Sequence, residues 1–352
     1  MDSARLEMLA RPHIDPMAFD YYAGGADDEI TLRANEAAWR QVEFLPHVLR
    51  DVTAIDTTTS LVGCDLAVPI LIAPMAAQRL AHPDGEAAMA RAAAGAGTVM
   101  VVSTLSTTSI EDVAAAAPGA PLWFQFYCHR DRGLSRDLLA RAGAAGYRAV
   151  VLTVDLPVVG RRRRDEINGF ALPHDMAMVN VAVTMNRTGE GSALAGYGDA
   201  AFDRSLTPAD LGWIAEASGL PVLVKGVLRA DDAVAAVEHG AAGVIVSNHG
   251  GRQLDGAMAT ARALPAVAQA VAGRVPVLVD GGIRGGYDVV KAVGLGATAV
   301  LVGRPLLWGL ALDGAAGAGA VLEELTLELS RAMALCGTSS LAEITPDLVV
   351  VP

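Results

Sequence analysis

Eight short apolar runs punctuate the chain, and their alternation with alanine-rich stretches of helical period limits what it can fold into. The runs occupy 69–73, 98–102, 122–126, 149–152, 221–224, 243–246, 276–279 and 299–302. Strands that alternate with helices pair in parallel, and runs that are apolar throughout suit a sheet covered on both faces. Eight such units predict an α/β fold, a closed (β/α)8 TIM barrel; a doubly wound open sheet with fewer core strands is the alternative. At 352 residues and 36.2 kDa the chain suits one domain over 1–352, with the barrel at about 65–325. Residues 1–60 are expected to form a helical N-terminal extension that caps the lower face or reaches over the top. The connection after the fourth strand is far longer than the others. Its segment 172–203 carries Gly, Asn, Ser and Met without a clean period and reads as a mobile lid loop.

In such a barrel the residues just past each strand converge on one face, where active sites are built. Here they are Pro74-Met75-Ala76, Ser103-Thr104, Tyr127, Thr153-Val154-Asp155, Lys225-Gly226, Ser247-Asn248-His249, Asp280-Gly281-Gly282 and Gly303-Arg304, with Gln125 inside the third strand. One polar strand end is ordinarily a helix cap or a turn. Eight in register point to a shared site. The sixth is the most informative, because His249 and Arg252 follow it with only Gly250 and Gly251 between them. A histidine takes a proton near neutral pH, and an arginine grips a carboxylate through two parallel hydrogen bonds. The glycines let the backbone approach a flat ligand. Together they describe a site acting on an acid. Taken singly, His249 would be a surface or core histidine, Asp155 a cap, Tyr21 a packing partner of Tyr22, and the arginines at 161–164 a solvated cluster.

Two glycine-rich segments follow the last strands. Asp280-Gly281-Gly282-Ile283-Arg284-Gly285-Gly286 and Val302-Gly303-Arg304-Pro305 each lead into a helix, where barrels commonly bind phosphate. Neither a P-loop nor a dinucleotide fingerprint is present, which favours one monophosphate and hence FMN over NAD or FAD. Lys225 is one of only two lysines among 27 basic residues, the other being Lys291, which suggests that arginine would not serve there. A net charge of −12 argues against a nucleic-acid partner. No run of about 18 apolar residues is seen and the first residues lack a signal-peptide core, so no membrane association is expected. Cys64, Cys128 and Cys336 are unclustered, which fits a cytoplasmic protein without a bound metal.

Beyond these readings, Phe19–Ala26, Ile72-Ala73-Pro74, His82–Glu86, Leu152–Asp155, Ser247–Asp255, Leu278–Arg284 and Val302–Pro305 together resemble the FMN-dependent (S)-2-hydroxy acid oxidase family, from about residue 17 to 348. The resemblance implies an enzyme that oxidises an (S)-2-hydroxy acid to the 2-oxo acid and reduces O2 to H2O2, as a homotetramer. A dehydrogenase passing electrons to a quinone or protein acceptor is the alternative. It implies His249 as base, Asp155 as the stabiliser of its imidazolium, and Tyr127 on the substrate hydroxyl. Arg252, Tyr21 and Arg162 would bind the carboxylate. Lys225 would sit beside the flavin N1–C2 edge, with Ser103, Gln125, Thr153 and Ser247 bonding the flavin and Pro74, Met75, Ala76 and Asp280 lining it. Gly282, Arg284, Gly303 and Arg304 would hold the phosphate.

Leu105 stands where glycolate-oxidising members tend to carry tryptophan, which opens the pocket to mandelate or 4-hydroxymandelate. Val159 and Met176–Met178 are expected to complete its wall, and Ala76 leans towards a direct oxidase. On the residues alone, a redox-free phosphate-binding isomerase or lyase and a non-catalytic barrel stay open. Yellow protein would separate the first from an FMN enzyme.

Overall fold

The computed structural model describes residues 2–181 and 192–351. All eight runs become parallel strands: β1 (Ile70–Ile72), β2 (Met100–Ser103), β3 (Leu122–Phe126), β4 (Ala149–Thr153), β5 (Val222–Val227), β6 (Gly243–Val246), β7 (Val277–Val279) and β8 (Ala299–Val302). They pair in chain order, and β8 returns to β1 with Val300 opposite Ile70, so the barrel is closed. Alternate residues serve two different cores. Leu71, Val101, Trp123, Val151, Leu223 and Ile245 fill the interior, while Ile70, Ile72, Val102 and Val150 pack outward under the helices. Both faces being buried, the runs are apolar throughout instead of alternating. β5 runs past its expected end through Lys225 to Val227, with a bulge at Gly226 that bends the strand at the rim.

Before the barrel, α1 (Pro16–Ala23) and α2 (Ile30–Gln41) reach over its top. Asp15 caps α1 by accepting from the Met17 N–H, and Pro16 opens the helix at a position where a missing N–H costs nothing. The lower end is not closed by helices, as one of the sequence expectations had it. A hairpin, Thr59–Leu61 with Cys64–Leu66, plugs it by packing Leu61, Cys64 and Leu66 under the interior layer. Three-residue strands are too short to show a period.

After β4 come α3 (Arg163–Asn168) and α4 (Ala193–Ala201). The expected lid over 172–203 is therefore partly helical, and its residues 182–191 lie outside the described residues. Gly196 and Gly198 mask the helical signal of α4, since glycine is a poor helix former. The outer layer continues with α5 (Asp210–Ser218) and α6 (Ala230–Glu238) and ends in α7 (Arg304–Cys336). By length and composition α7 could cross a membrane, although Asp313 keeps its apolar stretch short of an unbroken run of about 18 residues. Its backbone breaks at Asp313 and Gly314, however, and most of the apolar stretch is buried in the protein, so it is a core helix.

Candidate active site

The strand ends meet in one cleft of about 1080 Å³ at the C-terminal rim of the barrel. Pro74, Met75 and Ala76, Ser103 and Leu105, Gln125 and Tyr127, Thr153, Lys225, His249 and Arg252, Asp280, Gly282 and Arg284, and Gly303 with Arg304 all line it. α1 contributes Tyr21 and Tyr22, and Arg162 enters just ahead of α3. The ends of all eight strands, expected from register, are thereby brought to one volume, polar groups from seven and the apolar Pro74-Met75-Ala76 from β1.

His249 is held from both ring nitrogens. Its Nδ1 lies 2.9 Å from Asp155 Oδ1 and its Nε2 3.4 Å from the Tyr127 hydroxyl. Its backbone sits at φ +60°, a left-handed conformation that few non-glycine residues adopt and that clusters at functional sites. The Ser247 hydroxyl accepts the His249 N–H at 3.0 Å and helps to fix that turn. Asp155 depends on Gly226: a Cβ there would stand 2.6 Å from Asp155 Cβ, and the glycine's φ is +111°. Burial pushes the His249 imidazolium down, and the opposing attraction of Asp155 does not make up for it, so the ring is held below its ordinary pKa. Burial would raise the Asp155 carboxyl, yet His249 and Lys225 hold it below the usual carboxylate range. A neutral imidazole beside a carboxylate, with Nε2 turned to the Tyr127 hydroxyl in the cleft, is a base whose protonated form is compensated.

Opposite stand two guanidinium groups. Arg252 donates from Nη1 to the carbonyls of Tyr21 at 2.6 Å and Gly24 at 2.9 Å. Burial, followed by Arg162, pushes it down to about 10. Arg162 is buried, and its Nε and Nη1 have no hydrogen-bond partner among the described residues. The nearest carboxylate, Asp165, is 3.9 Å away. Both cations face the Tyr21 ring, at 4.9 and 5.8 Å from its centroid, and Phe170 stacks on that ring at 4.2 Å. A buried cation with open donors beside a half-buried one calls for an anion between them.

Along the other side, Lys225 Nζ lies 3.2 Å from Asp280 and donates to the Ser247 hydroxyl at 3.0 Å. Burial alone would lower the ammonium, but Asp280 and Asp155 outweigh it and hold Lys225 above its ordinary value. Gln125 accepts from the Ser103 hydroxyl at 3.2 Å and donates to Thr153 Oγ1 at 3.0 Å, which fixes which end of its amide faces each neighbour. The loop after β7 is backed by α2: a Cβ on Gly282, whose φ is +86°, would come 2.6 Å from the Asn35 carbonyl carbon. Arg284 pairs with Glu36 at 2.9 Å. Burial, then the neighbouring Arg252 and Arg284, holds Arg304 well below its ordinary value, so this end of the cleft is short of negative charge.

The matching family model, FMN-dependent dehydrogenase, covers residues 10–351. The chain belongs to that family. Among its relatives, L-lactate oxidase of Nostoc sp. is 51% identical over 347 residues, covering 96% of this chain and 94% of that protein. Glycolate oxidase of Spinacia oleracea is 46% identical, with 96% and 92% covered. A crystal structure of mandelate oxidase with (S)-4-hydroxymandelic acid superposes with a TM-score of 0.94 at 43% identity, covering 99% of this chain and 98% of that one.

FMN is the cofactor of the family, and the cleft fits it. Asp280 Oδ1 is buried without a partner among the described residues, Lys225 offers a buried cation beside it, and the arginine-rich end suits a phosphate. Two expected cofactor contacts also have protein partners of their own. Ser247 is fully buried beneath the cleft rather than on its lining, and its hydroxyl ties Lys225 to the His249 turn. Arg304 spends Nε, Nη1 and Nη2 on the carbonyls of Tyr22, Gly250 and Gly24 at 2.9, 3.2 and 2.9 Å. It clamps α1 to the His249 loop, and two of its five N–H groups stay free of these carbonyls at the cleft lining.

The apolar wall is also corrected. Leu105 and Val159 belong to it as expected, but Met176 and Met178 do not; Leu156, Leu194 and Phe202 take their place. Met178 is fully buried away from the cleft lining. Nothing in the sequence marks Leu194 or Phe202, which arrive with α4. Asp165 went unnamed, although its i+3 spacing from Arg162 is the signal that could have found it, and Glu36 and Phe170 carry no local signal.

Proposed function

We propose that this protein oxidises an (S)-2-hydroxy acid with an apolar, mandelate-type side chain to the 2-oxo acid, and that O2 takes the electrons and leaves as H2O2. The observation that carries the reading is the Arg162–Arg252 pair, with Arg162 buried and its donors open, facing a histidine held by a carboxylate. The substrate carboxylate would lie between the guanidinium groups. Its 2-hydroxyl would then meet Tyr127 and His249, which are within 3.4 Å of each other. His249 takes the proton at Nε2, and Asp155 offsets the charge the ring acquires. When bound, FMN accepts the two electrons. Lys225 supplies positive charge on the flavin side of the cleft, where charge builds up.

Leu105, Leu156, Val159, Leu194 and Phe202 would surround the substrate side chain, and their size supports an aromatic acid. The mandelate oxidase structure, which holds (S)-4-hydroxymandelic acid, supports the same class. A smaller acid is the second reading, supported by the 51% identity to L-lactate oxidase of Nostoc sp..

The test is anaerobic mixing of the yellow holoenzyme with (S)-mandelate, (S)-lactate or glycolate, followed by oxygen. The proposal expects fastest bleaching with (S)-mandelate, then rapid return of colour with one peroxide per turnover. No bleaching by any of the three overturns the chemistry. Faster bleaching by (S)-lactate selects the smaller substrate, and slow return of colour in oxygen identifies a dehydrogenase.

A further inference from the structure

A second cavity, of about 1110 Å³, lies behind the active site between the rim of the barrel and helices α5 and α6. It shares four lining residues with the cleft: Tyr127, Thr153, Leu156 and Phe202. Its own inner lining is mostly apolar, with Leu211, Val224, Val227 and Ala236, all buried, and its polar Thr153 and Asp203 already bonded to Gln125 and Arg132. Its outer rim carries Arg204, Thr207 and Asp232, which are exposed. The partition between the two spaces is thin. Tyr127 and Phe202 stack with centroids 4.7 Å apart, and Gly226, which lines the second cavity, stands against Asp155.

We propose that this second cavity is a binding site and route for dioxygen, reaching the active site through the Tyr127–Phe202 partition. The inference rests on the oxidase reading above. An enzyme of that kind has two substrates with opposite needs. The hydroxy acid is an anion and is drawn to Arg162 and Arg252 in the cleft. Dioxygen is small, neutral and apolar, and it gains nothing from guanidinium groups. Apolar cavities in proteins take up apolar gases such as xenon in preference to water, because the walls offer water no hydrogen bonds. The inner lining meets that condition. The open outer rim gives access to solvent on a side away from the arginine pair. Two electrons and two protons leave the hydroxy acid and reach dioxygen, which departs as H2O2. The cavity changes only how dioxygen gets there.

The experiment uses the holoenzyme. Crystals pressurised with xenon should show it in this cavity. Ala235→Leu on α6 and Leu206→Trp at the outer end fill the space without touching the cleft lining. Each should lower the second-order rate of reoxidation by O2 by about tenfold, the scale on which obstructed access moves an association rate. Anaerobic bleaching by the hydroxy acid should keep its wild-type rate. Wild-type reoxidation in whichever variant folds, or no xenon in the wild-type cavity, overturns the proposal. A parallel loss of anaerobic bleaching also overturns it, because the space would then house part of the acid. Failure of the wild-type enzyme to react with O2 at all would instead defeat the oxidase reading.

Discussion

Asp155→Asn isolates the charge in the catalytic pair. The carboxylate faces His249 Nδ1 at 2.9 Å, and asparagine keeps the shape and an acceptor oxygen, so the variant removes one negative charge and little else. Two bounds frame the effect. The smaller is the difference between a charge-assisted and a neutral hydrogen bond, about 1 kcal/mol. The larger is the attraction of unit charges about 4 Å apart at an effective dielectric near 20, about 4 kcal/mol. With roughly 1.36 kcal/mol per factor of ten, flavin reduction should slow by about 5- to 1000-fold. His249→Gln, which removes the base, should lose about 100-fold or more.

The pH dependence follows from the same pair. Only the neutral imidazole can take the proton, so kcat/KM falls as pH drops through the folded-state pKa of His249. Burial has already pushed that pKa down, and Asp155 is the main influence holding it up. Asp155→Asn should therefore move the acid limb to lower pH while slowing the reaction throughout. Stopped-flow bleaching under anaerobic conditions measures both effects without the oxygen step. A variant reduced at the wild-type rate, or one whose acid limb moves to higher pH, would refute the role assigned to Asp155.

Three further substitutions test the support of this pair, the pocket wall and the acid stability of the fold. Gly226→Ala should retain FMN yet lose reduction at least as severely as Asp155→Asn, since the new Cβ would stand 2.6 Å from Asp155 Cβ; full activity would show that the strand yields. Leu105→Trp should depress turnover of (S)-mandelate more than that of lactate or glycolate, and equal losses would remove Leu105 from the specificity wall. Burial pushes His129 down to about 4, so the folded protein binds fewer protons than the unfolded chain below about pH 6.5. That contribution to stability is intact above about pH 6.5 and lost as pH falls towards 4, about 3 kcal/mol in all. Urea unfolding of His129→Gln between pH 7 and 4 should show a correspondingly smaller decline, and an unchanged decline would assign the acid sensitivity to other groups.

The barrel and most of its site were legible because their signals are local. A strand buried on both faces writes itself as a short apolar run, and a barrel brings whatever follows each run to one rim. His249, Arg252 and Lys225 could be named on that ground alone, and Asp155 by its place two residues beyond Thr153. What the chain could not show locally was which neighbour each polar group would meet. Of the four consecutive arginines, Arg162 has a side chain 7% exposed while Arg161, Arg163 and Arg164 are 60%, 47% and 40% exposed. The family resemblance singles out Arg162, and the packing of α3 against the rim is what buries it. Arg304 was legible as a cation after β8, but the carbonyls of α1 and the His249 loop, remote in sequence, claim its guanidinium. The protonation balance of His249 was undecided for the same reason: Asp155 raises its pKa, burial lowers it, and the degree of burial is a property of the assembled site. Short-range patterns set where the elements form. Long-range packing decides which charges are desolvated together, and that sets their chemistry.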